Sequence, residues 1–113
     1  MGKYMFHTSY TGKGLVGLLK EGGSRRRAAL TQTIESMGGT VEGLYYAFGD
    51  TDLYIIADLP DDATATAVSL NIGNAGALSI KCTVLITPET VDEAVKKKVA
   101  YRPPGARATR GQK

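Results

Sequence analysis

The chain of 113 residues holds one histidine, His7, and one cysteine, Cys82. That scarcity limits the chemistry at once. One Cys with one His cannot complete a structural zinc site, and a lone Cys has no intrachain disulfide partner. Asp50, Asp52, Asp61 and Asp62 lack the longer ligand series, ending in Glu, that a calcium-binding loop needs. No metal and no cofactor are therefore expected. Ser24, Ser36, Ser69 and the threonines stand in no His/Asp pattern that would mark a nucleophile, so no catalytic residue is assigned. His7 is the side chain suited to moving a proton near neutral pH. It sits beside Met5 and Ser9 in a β-favouring run. If these three residues face away from the helices, Tyr45 and Tyr54 line the same surface. An aromatic-lined pocket there suits a small-molecule ligand, with Asp52 as a carboxylate at its mouth. The plainer readings are a hydrogen-bonded structural His7, tyrosines packed in an interface, and an Asp52 that braces a turn in which Gly49 supplies positive φ.

Arg25-Arg26-Arg27 form the second candidate site. Three cations in the first turn of a helix oppose its dipole, whereas helix N-termini favour anions. With Gly22-Gly23-Ser24 just before them, a phosphate or carboxylate site is one reading. A solvated face with Glu21 or Glu35 as neighbours is the other. The GxxxxGK[ST] signature of a P-loop is absent.

The elements that must position these residues follow from hydrophobic spacing. Residues 3–10 read as a strand, broken by Thr11-Gly12-Lys13-Gly14. Residues 15–20 suit a short helical turn, and Glu21-Gly22-Gly23 break the chain again. Ser24 is an expected N-cap for a helix to Met37, with Leu30, Ile34 and Met37 on one face. Gly38-Gly39 stop it. Strands follow over 40–48 and 52–59, joined through Gly49-Asp50-Thr51 as a hairpin. Pro60-Asp61-Asp62 open a helix to about residue 72, ended by Gly73 and Gly76. Residues 77–86 form a fourth strand. Thr87-Pro88-Glu89 start a last helix with Val91, Ala94 and Val95 as its apolar stripe. The order β-α-β-β-α-β plus a helix predicts a ferredoxin-like α+β fold, helices on one face of an antiparallel sheet. Residues 1–100 make one domain. Residues 101–113, rich in Pro, Gly, Arg and Gln, read as a disordered tail.

Strand faces add a prediction about association. Leu53, Ile55, Ala57 and Leu59 share the face expected under the helices. The opposite face keeps Tyr54 and Ile56 beside Asp52 and Asp58. In the fourth strand Leu78, Ile80, Cys82, Val84 and Ile86 share one face, and Leu85 interrupts the other. A sheet with one solvated face alternates more cleanly. A second copy of the chain is the simplest cover, which predicts a homo-oligomer.

Charge is divided unevenly. Residues 1–95 carry a net −4, and residues 96–113 a net +7 without a single acid. The tail thus offers a weak, nonspecific hold on an acidic partner or nucleic acid, with only Tyr101 for stacking. A solubilising tail is the plainer reading. The N-terminus lacks the apolar core of a signal peptide, and no stretch approaches membrane-spanning length. A cytoplasmic location and no membrane contact are expected.

The hairpin also carries a resemblance. Residues 45–52, Tyr-Tyr-Ala-Phe-Gly-Asp-Thr-Asp, are followed by a β-run, Asp58, Pro60-Asp61 and an Ala-rich helix. This pattern resembles the GYD-domain family, from roughly Tyr4 to Val95. It includes the Gly12 turn, Gly38-Gly39 and Gly76. Departures mark a divergent member: Thr51 replaces the family Tyr, Asp58 stands where Glu is usual, and Ile80-Lys81-Cys82 replace a Thr-rich last strand. The resemblance implies a ferredoxin-like fold that associates through its sheet, and it carries no established biochemical role. The function expected is a noncatalytic oligomeric domain that binds a small ligand or a partner. The alternatives are a small cofactor-independent oxygenase or isomerase of the dimeric α/β-barrel type, with His7 in an interface cleft, and a nucleic-acid-associated module using the tail.

Overall fold

In the computed structural model residues 1–105 are described. They form β1 (Gly2–Tyr10), α1 (Gly12–Ser36), β2 (Thr40–Tyr46), β3 (Leu53–Leu59), α2 (Asp62–Ala75), β4 (Leu78–Leu85) and α3 (Pro88–Val95). The four strands make one sheet in the order β2-β3-β1-β4, with every neighbouring pair antiparallel. The β-α-β-β-α-β order and this strand order are ferredoxin-like, as expected. Residues 101–105 lie in neither helix nor strand. The rest of the proposed tail, 106–113, falls outside the described residues.

Period-two alternation sets the core. Tyr4, Phe6 and Thr8 of β1 and Leu53, Ile55, Ala57 and Leu59 of β3 are all buried. Leu30 and Ile34 of α1, with Ala65 and Val68 of α2, close over them. Thr8, the polar member, donates to the Leu53 carbonyl, so its hydroxyl is satisfied without water. Tyr4 reaches from β1 to the start of α2, where its hydroxyl donates to Asp62. That bond, with burial adding to it, pushes the Tyr4 phenol up to about 12.

Helix α1 departs from expectation. Thr11-Gly12-Lys13-Gly14 start the helix rather than break the chain. The Thr11 hydroxyl accepts from the Gly14 amide at 3.1 Å and donates to the Gly76 carbonyl at 2.7 Å. One side chain thus caps α1 and ties it to the end of α2. Gly14 is needed for close approach: a Cβ there would stand 1.9 Å from the Ala77 carbonyl oxygen. The expected break is present at Gly22, whose φ 79° and ψ 170° divide α1 into two helices across a kink. The separate second helix expected from the sequence is therefore present, but its non-helical boundary residue is Gly22, and Ser24 lies inside its first turn.

Helix α2 begins on Asp61, whose carboxylate accepts from the Thr64 amide and hydroxyl. Those two bonds hold the Asp61 carboxyl below its usual range. The helix runs through Gly73 and ends on Gly76 at φ 84°. In β4 the predicted face is correct but only partly covered. Leu78 is buried and Ile80 half-buried, while Cys82, Val84 and Ile86 are exposed. β4 is an edge strand, so one flank of Cys82, Val84 and Ile86 has no neighbouring strand. Helix α3 starts on the Thr87 cap and Pro88 as predicted, yet buries none of its residues. Val91 and Val95 of its stripe face solvent.

Candidate functional site

The sheet's second face is uncovered by helix, and its residues fall in rows set by strand register. Tyr45, Tyr54, His7 and Lys81 are successive cross-strand partners from β2 to β4. The next row runs Gly43, Ile56, Met5 and Thr83. A third holds Asp58, Lys3 and Leu85. His7 and Tyr54 meet edge to face, with ring centroids 5.6 Å apart and planes at 60°. Tyr45, on the edge strand, is exposed. The structure thus brings three of the predicted ligand residues, His7, Tyr45 and Tyr54, into one row.

His7 has a partner that the sequence did not reveal. Its Nε2 lies 3.0 Å from the Thr83 hydroxyl. The pair is diagonal across β1 and β4, so only the register of two distant segments brings it together. Beside it opens a cleft of about 180 Å3, lined by His7, Ser9, Asp50, Thr51, Ser79 and Lys81 among others. The hairpin between β2 and β3 supplies Asp50 and Thr51. Among the described residues no carboxylate lies within ion-pair reach of His7. An acid–imidazole–hydroxyl relay needs that third group to orient the ring.

Asp52 is engaged elsewhere. Its Oδ2 accepts from the Tyr10 backbone amide at 2.8 Å, holding the end of β1 against the hairpin. It does not line the His7 cleft. The hairpin also corrects the reading of Gly49. Phe48, at φ 55°, is the residue with positive φ there. Its ring stacks on Tyr46 at 5.7 Å and 11°. A non-glycine residue in this region costs on the order of 1–3 kcal/mol. The stacking and the Ala47 amide bond to the Asp52 carbonyl, 2.8 Å, hold it.

At the other end of the open face Lys3 bridges Glu42 at 2.8 Å and Asp58 at 3.1 Å. Hydrogen bonds to both carboxylates raise its pKa, Glu42 contributing most. The second face is thus apolar in the middle, around Met5, Tyr54 and Ile56. A compact ion network flanks it at one end and polar groups at the other.

The arginine run is split. Arg25 and Arg27 are exposed, while Arg26 is half-buried and turned toward Tyr10 and Glu21. Cys82 is exposed at the edge strand, and desolvation pushes its thiol up. Among the described residues no three His, Cys, Asp or Glu gather as a metal site, and no helix is long and apolar enough to cross a membrane.

Helices packed on one face of a β2-β3-β1-β4 antiparallel sheet define a ferredoxin-like α+β domain. The chain belongs to the GYD domain family, whose model matches residues 4–95. Comparison with curated proteins and with solved structures finds no match.

Proposed function

We propose that this GYD domain is a noncatalytic, homo-oligomeric binding domain that pairs through the open face of its sheet. The observation that carries the reading is the uncovered band of Met5, Tyr54 and Ile56, with exposed Tyr45 at its edge. Apolar residues at the centre with charged and polar groups at the ends match the anatomy of a protein interface. The same face carries both charge signs, with Lys3 beside Glu42 and Asp58. Across a two-fold axis passing between Lys3 and these acids, Lys3 of each copy meets the acids of the other, so a patch with both signs suits a second copy. Light scattering on the full chain tests the reading. A mass of twice the 12.0 kDa chain is expected. A single 12.0 kDa species at every concentration overturns it.

The cleft beside His7 favours a second reading, a small cofactor-independent enzyme in which His7 takes a proton from a bound substrate. The short contact with Thr83 supports it. It requires the cleft to stay open in the pair. A pair whose sheets pack solidly against His7 removes this reading and leaves the first intact.

A further inference from the structure

At the kink of α1 two polar groups beside one cavity lack well-aligned acceptors. Arg26 keeps only 25% of its side chain exposed, and its near polar neighbour besides Glu21 is the Tyr10 hydroxyl. Its one charged neighbour, Glu21, stands 3.9 Å away, beyond hydrogen-bonding distance. The Tyr10 hydroxyl is closed off from water and makes no well-aligned hydrogen bond, with the Tyr46 hydroxyl and the Arg26 guanidinium as its near neighbours. A half-buried guanidinium carries five donors in a fixed fork, and an orphaned buried hydroxyl is rare. Both residues line a cavity of about 220 Å3. Lys13 lines it too, its ammonium held only by a 3.5 Å contact to the Ala75 carbonyl.

We infer that this cavity binds a small organic carboxylate, the acid group lying between Arg26 and Lys13 and an apolar body lying against Leu18. Arginine pairs with carboxylates through two parallel hydrogen bonds, which a single distant Glu21 does not supply. Lys13, Arg26 and Glu21 leave the mouth net positive. The remaining wall is apolar or bare backbone: Gly14, Gly17, Leu18 and Ala77. Leu18 also borders a second cavity of about 230 Å3, shared with Gly23, Tyr46 and Phe48. Here the strained Phe48 ring and Tyr46 offer an aromatic wall. A cavity this small takes a compact acid, not a nucleotide. Helical spacing explains why one arginine of three is involved: Arg26 shares the face of buried Leu30 and Ile34, while Arg25 and Arg27 point to solvent. The site lies at the end of the sheet, lined by no residue of the open-face band, so the inference does not rest on pairing between copies.

The test uses phenylacetate, its neutral analogue phenylacetamide, and the full-length protein. Amide chemical shifts are followed during titration. Phenylacetate should perturb Tyr10, Leu18, Gly23 and Arg26, and phenylacetamide should not. Arg26→Gln should weaken binding at least about tenfold, while Arg25→Gln and Arg27→Gln leave it unchanged. Gly17→Leu provides an independent block, because a Cβ there meets open space and the side chain enters the cavity. It should abolish the perturbation without loss of fold. No perturbation by phenylacetate, equal perturbation by the amide, or equal affinity in Arg26→Gln and Arg25→Gln would each overturn the assignment.

Discussion

The carboxylate of Asp52 accepts a hydrogen bond from the Tyr10 backbone amide at 2.8 Å. The Asp52 amide donates to Thr8 at 2.9 Å. One residue thus closes the end of β1 onto the hairpin with both its backbone and its side chain. Asp52→Ala removes the acceptor and leaves a half-buried amide unpaired. Loss of about 1–3 kcal/mol is expected in urea unfolding. Asp52→Asn, which keeps an acceptor oxygen, should lose less.

Gly14 and Gly17 share a helix but not an environment. A Cβ at Gly14 meets the Ala77 carbonyl at 1.9 Å, whereas one at Gly17 meets nothing within 4 Å. Gly14→Ala should destabilise by about 3 kcal/mol, because backbone must move. Gly17→Ala should stabilise by about 0.5–1 kcal/mol through helix propensity alone. Thermal unfolding of the two variants separates packing from propensity.

Burial first, and the Tyr46 hydroxyl second, push the Tyr10 phenol up from 10.0 to about 12, with Arg26 pulling weakly the other way. The folded state therefore keeps a proton that the unfolded chain releases above its ordinary value. That contribution is complete below pH 10.0 and is lost as pH rises toward about 12. Tyr4 acts in the same direction. Tyr10→Phe should make the alkaline fall in stability shallower and cost little at neutral pH, since its hydroxyl makes no well-aligned hydrogen bond. Urea midpoints measured across that alkaline window decide it.

Ile56 lies at the centre of the open face, between Gly43 and Met5. Ile56→Lys places a charge in the proposed interface while leaving the helix-side core untouched. Weakening of association by about tenfold or more is expected with an unchanged circular dichroism spectrum. Association at wild-type strength would show that the copies meet elsewhere.

The architecture was legible because period-two strands and capped helices leave local signals. Leu53, Ile55, Ala57 and Leu59 announced their face, and Thr87-Pro88 announced the start of α3. What stayed hidden depended on partners far along the chain. Gly14 reads as a breaker until Ala77 is seen against it. Thr83 has no visible link to His7 before the register of β1 and β4 is known. Positive φ in the hairpin falls on Phe48 because Tyr46 supplies a stacking surface, which turn statistics do not contain. Arg26 differs from its neighbours by sharing the helix face of Leu30 and Ile34, but the cavity beside it, with Lys13 and Ala77, depends on segments far along the chain. Exposure of Val84 was also unreadable, because strand alternation does not say which strand lies at the sheet's edge.

Isotope-filtered NOE spectroscopy on an equimolar mixture of labelled and unlabelled chains tests the central claim most directly. Sheet-face pairing predicts contacts between copies from Met5, Tyr54 and Ile56, with Lys3 near the partner's acidic rim. Contacts between copies confined to other surfaces, or none at a concentration where the mass is that of a pair, would contradict it.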